Sequence, residues 1–460
     1  MRPLNSTVKT LAVQFSRAFR SPFAQISTRS IGLLTFFALY LIVIQTCRIL
    51  FSRDPTSWFF DAETGYTQDY SSIRRHQADA FISAADASNV SHRITDPTTA
   101  KLCVGVASVA RGGPRYFRTS VGSLLEGLTE DERQGLYLIL FIAHTEPTVH
   151  PAYAEKWLHN VADRVLMYNL PEGELDRIRR MEKDRTLFKE KALLDYTHLL
   201  KACAQTGAPY VAMVEDDVIA LDGWYHRTLE ALEIANHQTR ARGNRECESL
   251  KSQLLHEAYP ALDLYLRLFY TEALLGWNSE NWPTYLFWSA VSVSTPLLSW
   301  ILLRRLYPPS KRIVPFPIVI LGCCVCVPFC ILLFFAIGKV STLPLPRGVI
   351  EMSNFGCCSQ SFVFPKAKAI DLIDYYESRK VGFVDELTEE LADQHDEIRW
   401  ALNPGVMQHI GRTSSKRDDI GMTSKHNMTH GQKLWNFAFE RNDPKKLHEE
   451  HVRAANITER

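Results

Sequence analysis

Three long apolar segments constrain the fold of this chain more than any other feature. Each is free of charged side chains, and they occupy residues 31–47, 285–303 and 313–337. At ~1.5 Å of helical rise per residue, such segments can cross a hydrocarbon core of ~30 Å, the first one with a short extension. The sequence therefore predicts three transmembrane helices, which we place at residues 31–51, 284–303 and 313–338.

Basic residues next to these segments predict their orientation. The tail at residues 1–30 is basic and Asp54 is the first acidic residue of the chain, so the positive-inside rule places this tail in the cytoplasm. The short loop at residues 304–312, RRLYPPSKR, is also basic and is expected on the same side. Two alternatives are a cleaved secretory signal at the first segment and a buried soluble hairpin at the other two.

The two long polar regions then lie on the non-cytoplasmic, lumenal side. They are residues 52–283 and 339–460, and the second divides into a folded part, 339–415, and a polar tail, 416–460. Acceptor sequences for N-glycosylation occur in both regions, at Asn89, Asn427 and Asn456. A further acceptor sequence at Asn5 should be cytoplasmic and unused.

The 10 cysteines divide between the apolar segments and the lumenal regions. Cys47 lies in the first segment, and the third segment holds four more, which we expect to pack as small apolar groups or to be acylated. The lumenal cysteines are Cys103, Cys203, Cys247, Cys357 and Cys358. This odd set leaves at least one thiol free or paired between chains, and which of them pair stays open.

The overall charge excludes one class of partner. Lys and Arg total 52 and Asp and Glu total 51, a net charge of +1 that gives no general attraction for polyanions. We therefore expect no nucleic-acid partner. Apolar residues make up 46% and charged residues 22%, a ratio typical of a folded chain with a sizeable core.

Within the lumenal regions, short apolar runs alternate with helical stretches. LCVGVASV, LYLILFIAH and YVAMV have the composition of buried strands, and residues 187–205 predict an amphipathic helix that ends before Gly207. This alternation predicts an α/β fold with a mostly parallel sheet flanked by helices. The charged stretch at residues 239–252 is expected to be an exposed loop.

Three carboxylates follow the predicted strand YVAMV. Glu215, Asp216 and Asp217 stand at its carboxyl end, which is where open parallel sheets bind ligands. Carboxylate oxygens suit magnesium or manganese, and such an ion would stabilise the charge that develops on a departing nucleoside diphosphate. The alternative for this triplet is an ordinary solvated turn.

Two segments carry a resemblance to known enzymes. KALLDYTHLLKACAQTGAPYVAMVEDDVIALDGWY resembles the stretch around the DXD-type motif of GT-A glycosyltransferases, especially the N-acetylglucosaminyltransferase IV group. NPGVMQHIGRTSS resembles a C-terminal segment of the same group, which implies that His409 approaches the metal or the donor diphosphate. The alternative for His409 is a structural histidine.

The order of these motifs is more specific than either motif alone. A transmembrane hairpin lies between the triplet and NPGVMQHIGRTSS, an arrangement similar to the post-GPI-attachment N-acetylgalactosaminyltransferase family. The resemblance implies a GT-A-like fold with an N-terminal transmembrane helix and an inserted transmembrane hairpin, in the Golgi membrane with a lumenal catalytic domain. It also implies transfer of GalNAc from UDP-GalNAc to the mannose core of GPI anchors.

This resemblance extends to individual site residues. It implies a nucleotide bound against the end of the first strand and contacts to the donor from Ser108, Val109, Arg111, Glu215 and Asp216. It implies manganese, or another divalent cation, on Asp217, Asp216 and His409. The alternative for Arg111 is an ordinary solvated loop residue.

The general base is also assigned by resemblance. GPI side-branch GalNAc is β-linked whereas the donor is α-linked, so the reaction should invert configuration and needs a base for the acceptor hydroxyl. FVDELTEEL resembles the aspartate-bearing helix start of the N-acetylglucosaminyltransferase IV group, which implies Asp385 as the base and Glu386 as the next candidate. The other acidic residues nearby are expected on a solvated helix face.

Two alternative functions remain open. One is an N-glycan GlcNAc transferase, although a soluble glycoprotein acceptor gives no reason for a membrane hairpin beside a catalytic domain. The other is a non-catalytic membrane receptor or assembly subunit with a degenerate GT-A fold, against which the intact triplet and His409 count. The sequence does not determine the oligomeric state or the choice between GalNAc and GlcNAc donors.

The predicted topology has a direct test. Endoglycosidase treatment should increase the electrophoretic mobility of the protein, because acceptor sequences lie in both lumenal regions. A new acceptor sequence placed within residues 304–312 should add no glycan, because that loop is cytoplasmic. Efficient glycosylation of the loop would overturn the topology.

Overall fold

A computed structural model describes most of the chain, at residues 28–89, 95–246, 264–307, 316–352, 358–411 and 434–458. The chain divides into two compact units. The helical unit comprises Met1–Phe60 and Trp277–Thr342. The sheet unit comprises Asp61–Gly276 and Leu343–Arg460.

Helices and strands are numbered in chain order. The helices are α1 (Thr28–Leu50), α2 (Ala62–Gly65), α3 (Asp69–Ala87), α4 (Phe117–Leu125), α5 (Glu130–Gln134), α6 (Lys156–Val161), α7 (Glu172–Lys183), α8 (Phe188–Ala204), α9 (Trp224–Glu246), α10 (Trp282–Leu306), α11 (Phe316–Leu321), α12 (Val327–Ile337), α13 (Lys339–Thr342), α14 (Lys366–Arg379), α15 (Val384–His395), α16 (Phe437–Glu440) and α17 (Pro444–Thr458). The strands are β1 (Leu102–Ser108), β2 (Leu136–Ile142), β3 (Arg164–Leu166), β4 (Tyr210–Glu215), β5 (Val218–Ala220), β6 (Tyr265–Arg267), β7 (Gly348–Glu351), β8 (Ser361–Pro365), β9 (Arg399–Asn403) and β10 (Met407–His409).

In the helical unit, the three apolar segments are helices over their described residues. Among the described residues, three stretches are long and apolar enough to cross a membrane. The first lies within α1, the second contains α10 and the third contains the pair α11–α12. A π-helical turn at Gly322–Cys326 joins α11 to α12. It precedes Pro328, whose ring would clash with the carbonyl of Cys324 in regular α geometry.

Polar contacts tie the residues that follow α1 to the end of α12 and the segment after it. Asp54 is buried, with 1% of its surface exposed, and its Oδ2 accepts the backbone N–H of Ser341 at 3.0 Å. The backbone N–H of Trp58 donates to the carbonyl of Ala336 at 2.8 Å. These bonds satisfy backbone groups at helix ends, which otherwise lack partners.

The sheet unit contains an eight-stranded sheet in the order β3-β2-β1-β4-β8-β6-β9-β7. The four strands β3, β2, β1 and β4 are parallel, and β8 joins β4 in the antiparallel direction. The predicted α/β class with a mostly parallel, GT-A-like sheet is therefore confirmed. A small second sheet pairs β5 with β10.

Both faces of the main sheet are covered by helices. Leu102, Val104 and Val106 of β1 join a core that includes α3, α4, α6 and α9, whereas Cys103 joins a core that includes α8, α14 and α15. Alternate residues of one strand thus serve opposite faces, as the pleat requires. Since β1 and β2 are buried on both faces, their sequences are continuous apolar runs.

The structure corrects the prediction for residues 239–252. Helix α9 runs through this stretch as far as Glu246, and residues 247–263 lie outside the described part. Thr239 accepts the indole N–H of Trp400 at 3.0 Å, and Arg242 pairs with Glu351. Helix-forming Ala, Arg and Glu residues and these contacts to β9 and β7 outweigh the polar composition that suggested a loop.

One disulfide bond links the sheet to the helix that covers it. Cys103 on β1 is bonded to Cys203 at the end of α8, with their Cα atoms 5.6 Å apart. Cys358 is also disulfide-bonded, whereas Cys247 and Cys357 lie outside the described residues. The cysteines of the apolar segments are free thiols.

The packing of α4 on α3 yields a stability prediction. A Cβ atom at Gly122 would lie 2.5 Å from the carbonyl oxygen of Ala78 and 2.9 Å from Ile82 Cγ1. Gly122→Ala should therefore destabilise the sheet unit by about 1–3 kcal/mol, because backbone must move to admit the methyl group. Thermal unfolding followed by intrinsic fluorescence should show a lower melting temperature.

Gly173→Ala is the matched control. Its Cβ atom would meet nothing within 4 Å, and it lies in the first turn of α7. Alanine there should leave the melting temperature unchanged or slightly higher, because it restricts the unfolded chain and favours the helix. Equal melting temperatures for the two variants would contradict the close approach of α3 and α4.

Candidate functional site

The candidate site lies at the carboxyl edge of the parallel strands β1 and β4. The register pairs Ala107 with Glu215, so the residues that follow the two strands emerge at the same level. Strand β5 then pairs antiparallel with β10, and His409 lies opposite Val218. The backbone N–H of Ile410 also donates to the carbonyl of Asp217 at 2.8 Å. This pairing brings together two motifs that are almost two hundred residues apart in the chain.

Four ionisable side chains meet at this edge. Asp216, Asp217 and His409 are buried, and Arg111 is largely so. The Arg111 guanidinium is ion-paired with Asp216, and it lies 3.3 Å from Asp217 Oδ2. His409 Nε2 lies 3.5 Å from the same Asp217 oxygen. One cation thus stands against two buried carboxylates, which have to be paired or bound to an ion to be stable there.

A chain of hydrogen bonds orients Asp216. Ser108 Oγ donates to Asp216 Oδ2 at 2.6 Å, and His150 Nε2 lies 3.0 Å from the same hydroxyl oxygen. Since His150 Nδ1 accepts the backbone N–H of Ala152 at 3.2 Å, its proton belongs on Nε2 and points at Ser108. The serine at the end of β1 therefore holds the carboxylate at the end of β4.

The protonation states agree with this chain. Burial, with smaller contributions from His144 and Arg115, lowers the pKa of His150 to about 4 and keeps its imidazole neutral near pH 7. Burial raises the pKa of Asp216 to about 6, against the opposing effect of Arg111. The hydrogen bonds and the ion pair thus offset part of the cost of burying this carboxylate.

His144 fixes the loop that carries Arg111. Its Nε2 accepts the backbone N–H of Ala110 at 2.8 Å, and Thr145 beside it donates to Glu182. The sequence analysis did not single out His144 or His150. A signal was available for His144, because it stands two residues after the end of β2 and so belongs to the same carboxyl edge of the sheet.

A cavity opens beside this edge. Of the residues assigned by resemblance to the donor, its lining contains Ser108, Val109, Arg111 and Asp216. Residues that the sequence analysis missed complete it, above all Arg115, Tyr116, Phe117, Arg118 and Glu155. Arg115 and Arg118 contact Glu155 at 3.1 and 2.9 Å. Guanidinium groups and aromatic rings together suit an anionic, planar ligand such as a nucleotide.

The remaining candidate residues lie apart from this cavity. Glu215 accepts the Ser359 hydroxyl at 2.8 Å and is outside the cavity lining. Asp385 is half-buried and Glu386 exposed in the first turn of α15. Burial of the phenol raises the pKa of the partly buried Tyr196, and the charges of Tyr376, Glu215 and Asp385 raise it further, so Glu215 and Asp385 act on the same tyrosine.

The residues near His409 fit a divalent metal ion. His409 Nδ1 is buried and has no hydrogen-bond partner within the described ranges. Gly411 lies against both Asp217 and His409, since a Cβ atom at this position would lie 2.5 Å from Asp217 Oδ2 and 2.9 Å from His409 Nε2. Carboxylate oxygens with one imidazole nitrogen form a ligand set that suits manganese. Gly411 is the second glycine of the motif NPGVMQHIGRTSS, to which the sequence alone assigned no role.

The sheet and the buried acidic edge place the protein in the GT-A-like α/β class. The chain belongs to the GPI-N-acetylgalactosamine transferase PGAP4 family, whose model matches residues 102–408. The matched range contains the carboxyl edge, both carboxylates of the pair, α15 and the inserted membrane segments.

Curated relatives are similar over shorter stretches. The alpha-1,3-mannosyl-glycoprotein 4-beta-N-acetylglucosaminyltransferase C of Mus musculus is 29% identical over 154 residues, which is 28% of this chain and 32% of the relative. The alpha-1,6-mannosyl-glycoprotein 4-beta-N-acetylglucosaminyltransferase of Gallus gallus is 25% identical over 193 residues, which is 38% of this chain and 40% of the relative. The chain thus spans about a third of the length of the curated relatives it matches.

The position of Gly411 yields a prediction about metal binding. Gly411→Ala should weaken the binding of manganese with UDP about tenfold or more, because the methyl group displaces Asp217 or His409. Binding can be followed as the increase in melting temperature with ligand concentration. Gly112→Ala, whose Cβ atom meets nothing within 4 Å, is the control and should bind normally. Normal binding of manganese with UDP by both variants would show that Gly411 is not part of the site.

Proposed function

We propose that this protein transfers GalNAc from UDP-GalNAc to the mannose core of GPI anchors, with inversion of configuration, in the Golgi lumen. The observation that carries the proposal is the buried group of Arg111, Asp216, Asp217 and His409 beside a cationic cavity. Membership of the GPI-N-acetylgalactosamine transferase PGAP4 family supports the choice of sugar and acceptor.

The cavity binds the nucleotide part of the donor in this proposal. Ser108 and Val109 present the end of β1 to the nucleotide, and Tyr116 offers an aromatic ring. Arg111 lines the cavity and pairs with both aspartates, so its guanidinium can neutralise phosphate charge as well as carboxylate charge. Glu215 acts from outside the cavity, through Ser359 and Gln360.

Asp216, Asp217 and His409 hold the manganese ion. When bound, the ion stabilises the negative charge that develops on the departing UDP. The protein's own contribution is to keep these ligands in place. Ser108 orients Asp216, and the pairing of β5 with β10 fixes His409 beside Asp217.

Asp385 is the general base of the proposed reaction. An inverting displacement requires a group that accepts the proton of the attacking hydroxyl. Asp385 is half-buried at the start of α15, so it is accessible to an acceptor, and its charge acts on the same tyrosine as that of Glu215. Glu386 is more exposed and is the second candidate.

Membrane attachment supports a lipid-anchored acceptor. In the part of the chain that the structure describes, three helices are long and apolar enough to cross a membrane, and two of them interrupt the sequence between the acidic motif and Asp385. A GPI glycan is held at the membrane surface, so tethering the enzyme there raises its effective concentration. The curated relatives favour an N-glycan GlcNAc transferase as the alternative function.

The proposal is tested with detergent-purified protein, manganese and a panel of UDP-sugars. UDP release and transfer to GPI glycans should be greatest with UDP-GalNAc. Asp217→Ala should reduce transfer about 100-fold or more, which corresponds to about 2.7 kcal/mol of transition-state stabilisation. Asp371→Ala, an exposed carboxylate on α14, is the control and should be fully active.

Each other outcome has a definite meaning. Transfer of GlcNAc to N-glycans with no reaction on GPI glycans would replace the proposal by the alternative function. Absence of UDP release with every donor and acceptor would favour a non-catalytic protein. Activity of Asp217→Ala within about threefold of wild type would show that this carboxylate is not a metal ligand.

The assignment of the base needs its own comparison. Asp385→Asn should abolish transfer while leaving the affinity for UDP and manganese unchanged, because the amide cannot accept the acceptor proton. Asp396→Asn at the other end of α15 is the control, since asparagine tolerates its left-handed backbone, φ 53°. Loss of transfer in Glu386→Gln with full activity in Asp385→Asn would move the role to Glu386.

A further inference from the structure

A second cluster of metal-ligating side chains joins the C-terminal helix to the rest of the sheet unit. Helix α17 carries His448 and His451, which face residues of α5, α9 and the turn before α9. The groups from those elements are Glu132, Asp222 and His226. This cluster shares no residue with the site at Asp216, Asp217 and His409, and α17 lies beyond the range matched by the family model.

Three of these side chains have the spacing of ligands to one ion. One ligand atom from each of Glu132, His226 and His451 lies within 4.8 Å of the others. His451 Nε2 is 2.8 Å from Glu132 Oε2, and His226 Nδ1 is 3.9 Å from Glu132 Oε1. Ligand atoms about 2.1 Å from a tetrahedral zinc ion are about 3.4 Å apart, which falls between these two distances.

The surroundings of His451 are those of a metal-ligating histidine. Its Nδ1 lies 2.6 Å from Asp222 Oδ1, while its Nε2 faces Glu132. A carboxylate on one ring nitrogen fixes the tautomer and leaves the other nitrogen for a metal. His448 Nδ1, 3.2 Å from Asp222 Oδ2, holds that carboxylate from its other side.

His226 is the member of the cluster that a simple ion pair does not explain. Its Nδ1 is buried and makes no hydrogen bond to any described residue. Its ring stacks on that of His451, with centroids 5.2 Å apart. The imidazole of His226 fits only because residue 223 is a glycine, at φ 77°. A Cβ atom there would lie 2.5 Å from His226 Cε1.

We propose that Glu132, His226 and His451 form a zinc site that fastens α17 to the rest of the sheet unit. Two imidazole nitrogens with one carboxylate are ligands that zinc prefers, and water completes the tetrahedron. Among the described side chains of α17, only Leu447 and His451 are buried, so apolar packing contributes little to the attachment of this helix. The ion supplies that attachment.

A proton competes with the metal for the imidazole of His451. Without zinc, hydrogen bonds to Asp222 and Glu132 raise the pKa of His451 to about 9, and the protonated ring bridges the two carboxylates. That arrangement uses His451 but leaves His226 Nδ1 without a function. His226 therefore distinguishes the zinc site from the ion pair.

The test measures zinc in full-length protein that carries no polyhistidine tag. All samples carry Asp217→Ala, so that metal at the candidate donor site is not counted. After incubation with zinc and dialysis, mass spectrometry of the metal should find about one zinc ion per chain. EDTA should lower the melting temperature, and added zinc should restore it.

Two matched variants distinguish the zinc site from the protonated ion pair. His226→Gln should lose the zinc and the response to EDTA, since it removes a ligand and keeps the contacts of His451 with Asp222 and Glu132. His237→Gln should keep both, because His237 is an exposed histidine on the same helix, α9, and lies outside the cluster. Absence of zinc from the parent protein, or equal zinc in His226→Gln and its parent, would overturn the proposal and leave the protonated ion pair.

Discussion

The antiparallel pairing of β5 with β10 is the contact on which the candidate site depends. It spans three residues on each strand and sets His409 opposite Val218, next to Asp217. The strands belong to motifs that are far apart in the chain, so the pairing must overcome the closure entropy of the long segment between them. Gln408 supports it from behind, since its side chain bonds Asn436 and Glu440 of the segment that forms α16.

The long segment between these motifs is accommodated because it enters and leaves through one region of the sheet. Strand β6 precedes the inserted membrane helices and β7 follows them, and both pair with β9. The insertion therefore interrupts the chain between two strands that flank β9, and it leaves the parallel core of β3, β2, β1 and β4 intact. Closure entropy grows only slowly with length, so such an insertion costs little once its ends are fixed.

Burial of charge is the recurring energetic feature of the sheet unit. Asp216 is stabilised by Ser108 and Arg111, and Arg267 by Glu389. Each of these two buried charges has a partner, because an unpaired one would cost several kcal/mol. A site assembled in this way is held rigidly, and rigid placement of ligands is what metal binding and catalysis require.

Local patterns in the sequence were sufficient to predict the three apolar helices, the parallel α/β sheet and the carboxylates at the end of β4, because each depends on neighbouring residues. The same patterns failed at residues 239–246, where contacts of α9 with Trp400 and Glu351 extend a helix. Only the tertiary structure decided that His150 orients Ser108, that Cys103 is bonded to Cys203 and that His451 meets Glu132. Those contacts join distant parts of the chain, and the packing of whole elements sets them, which no local periodicity encodes.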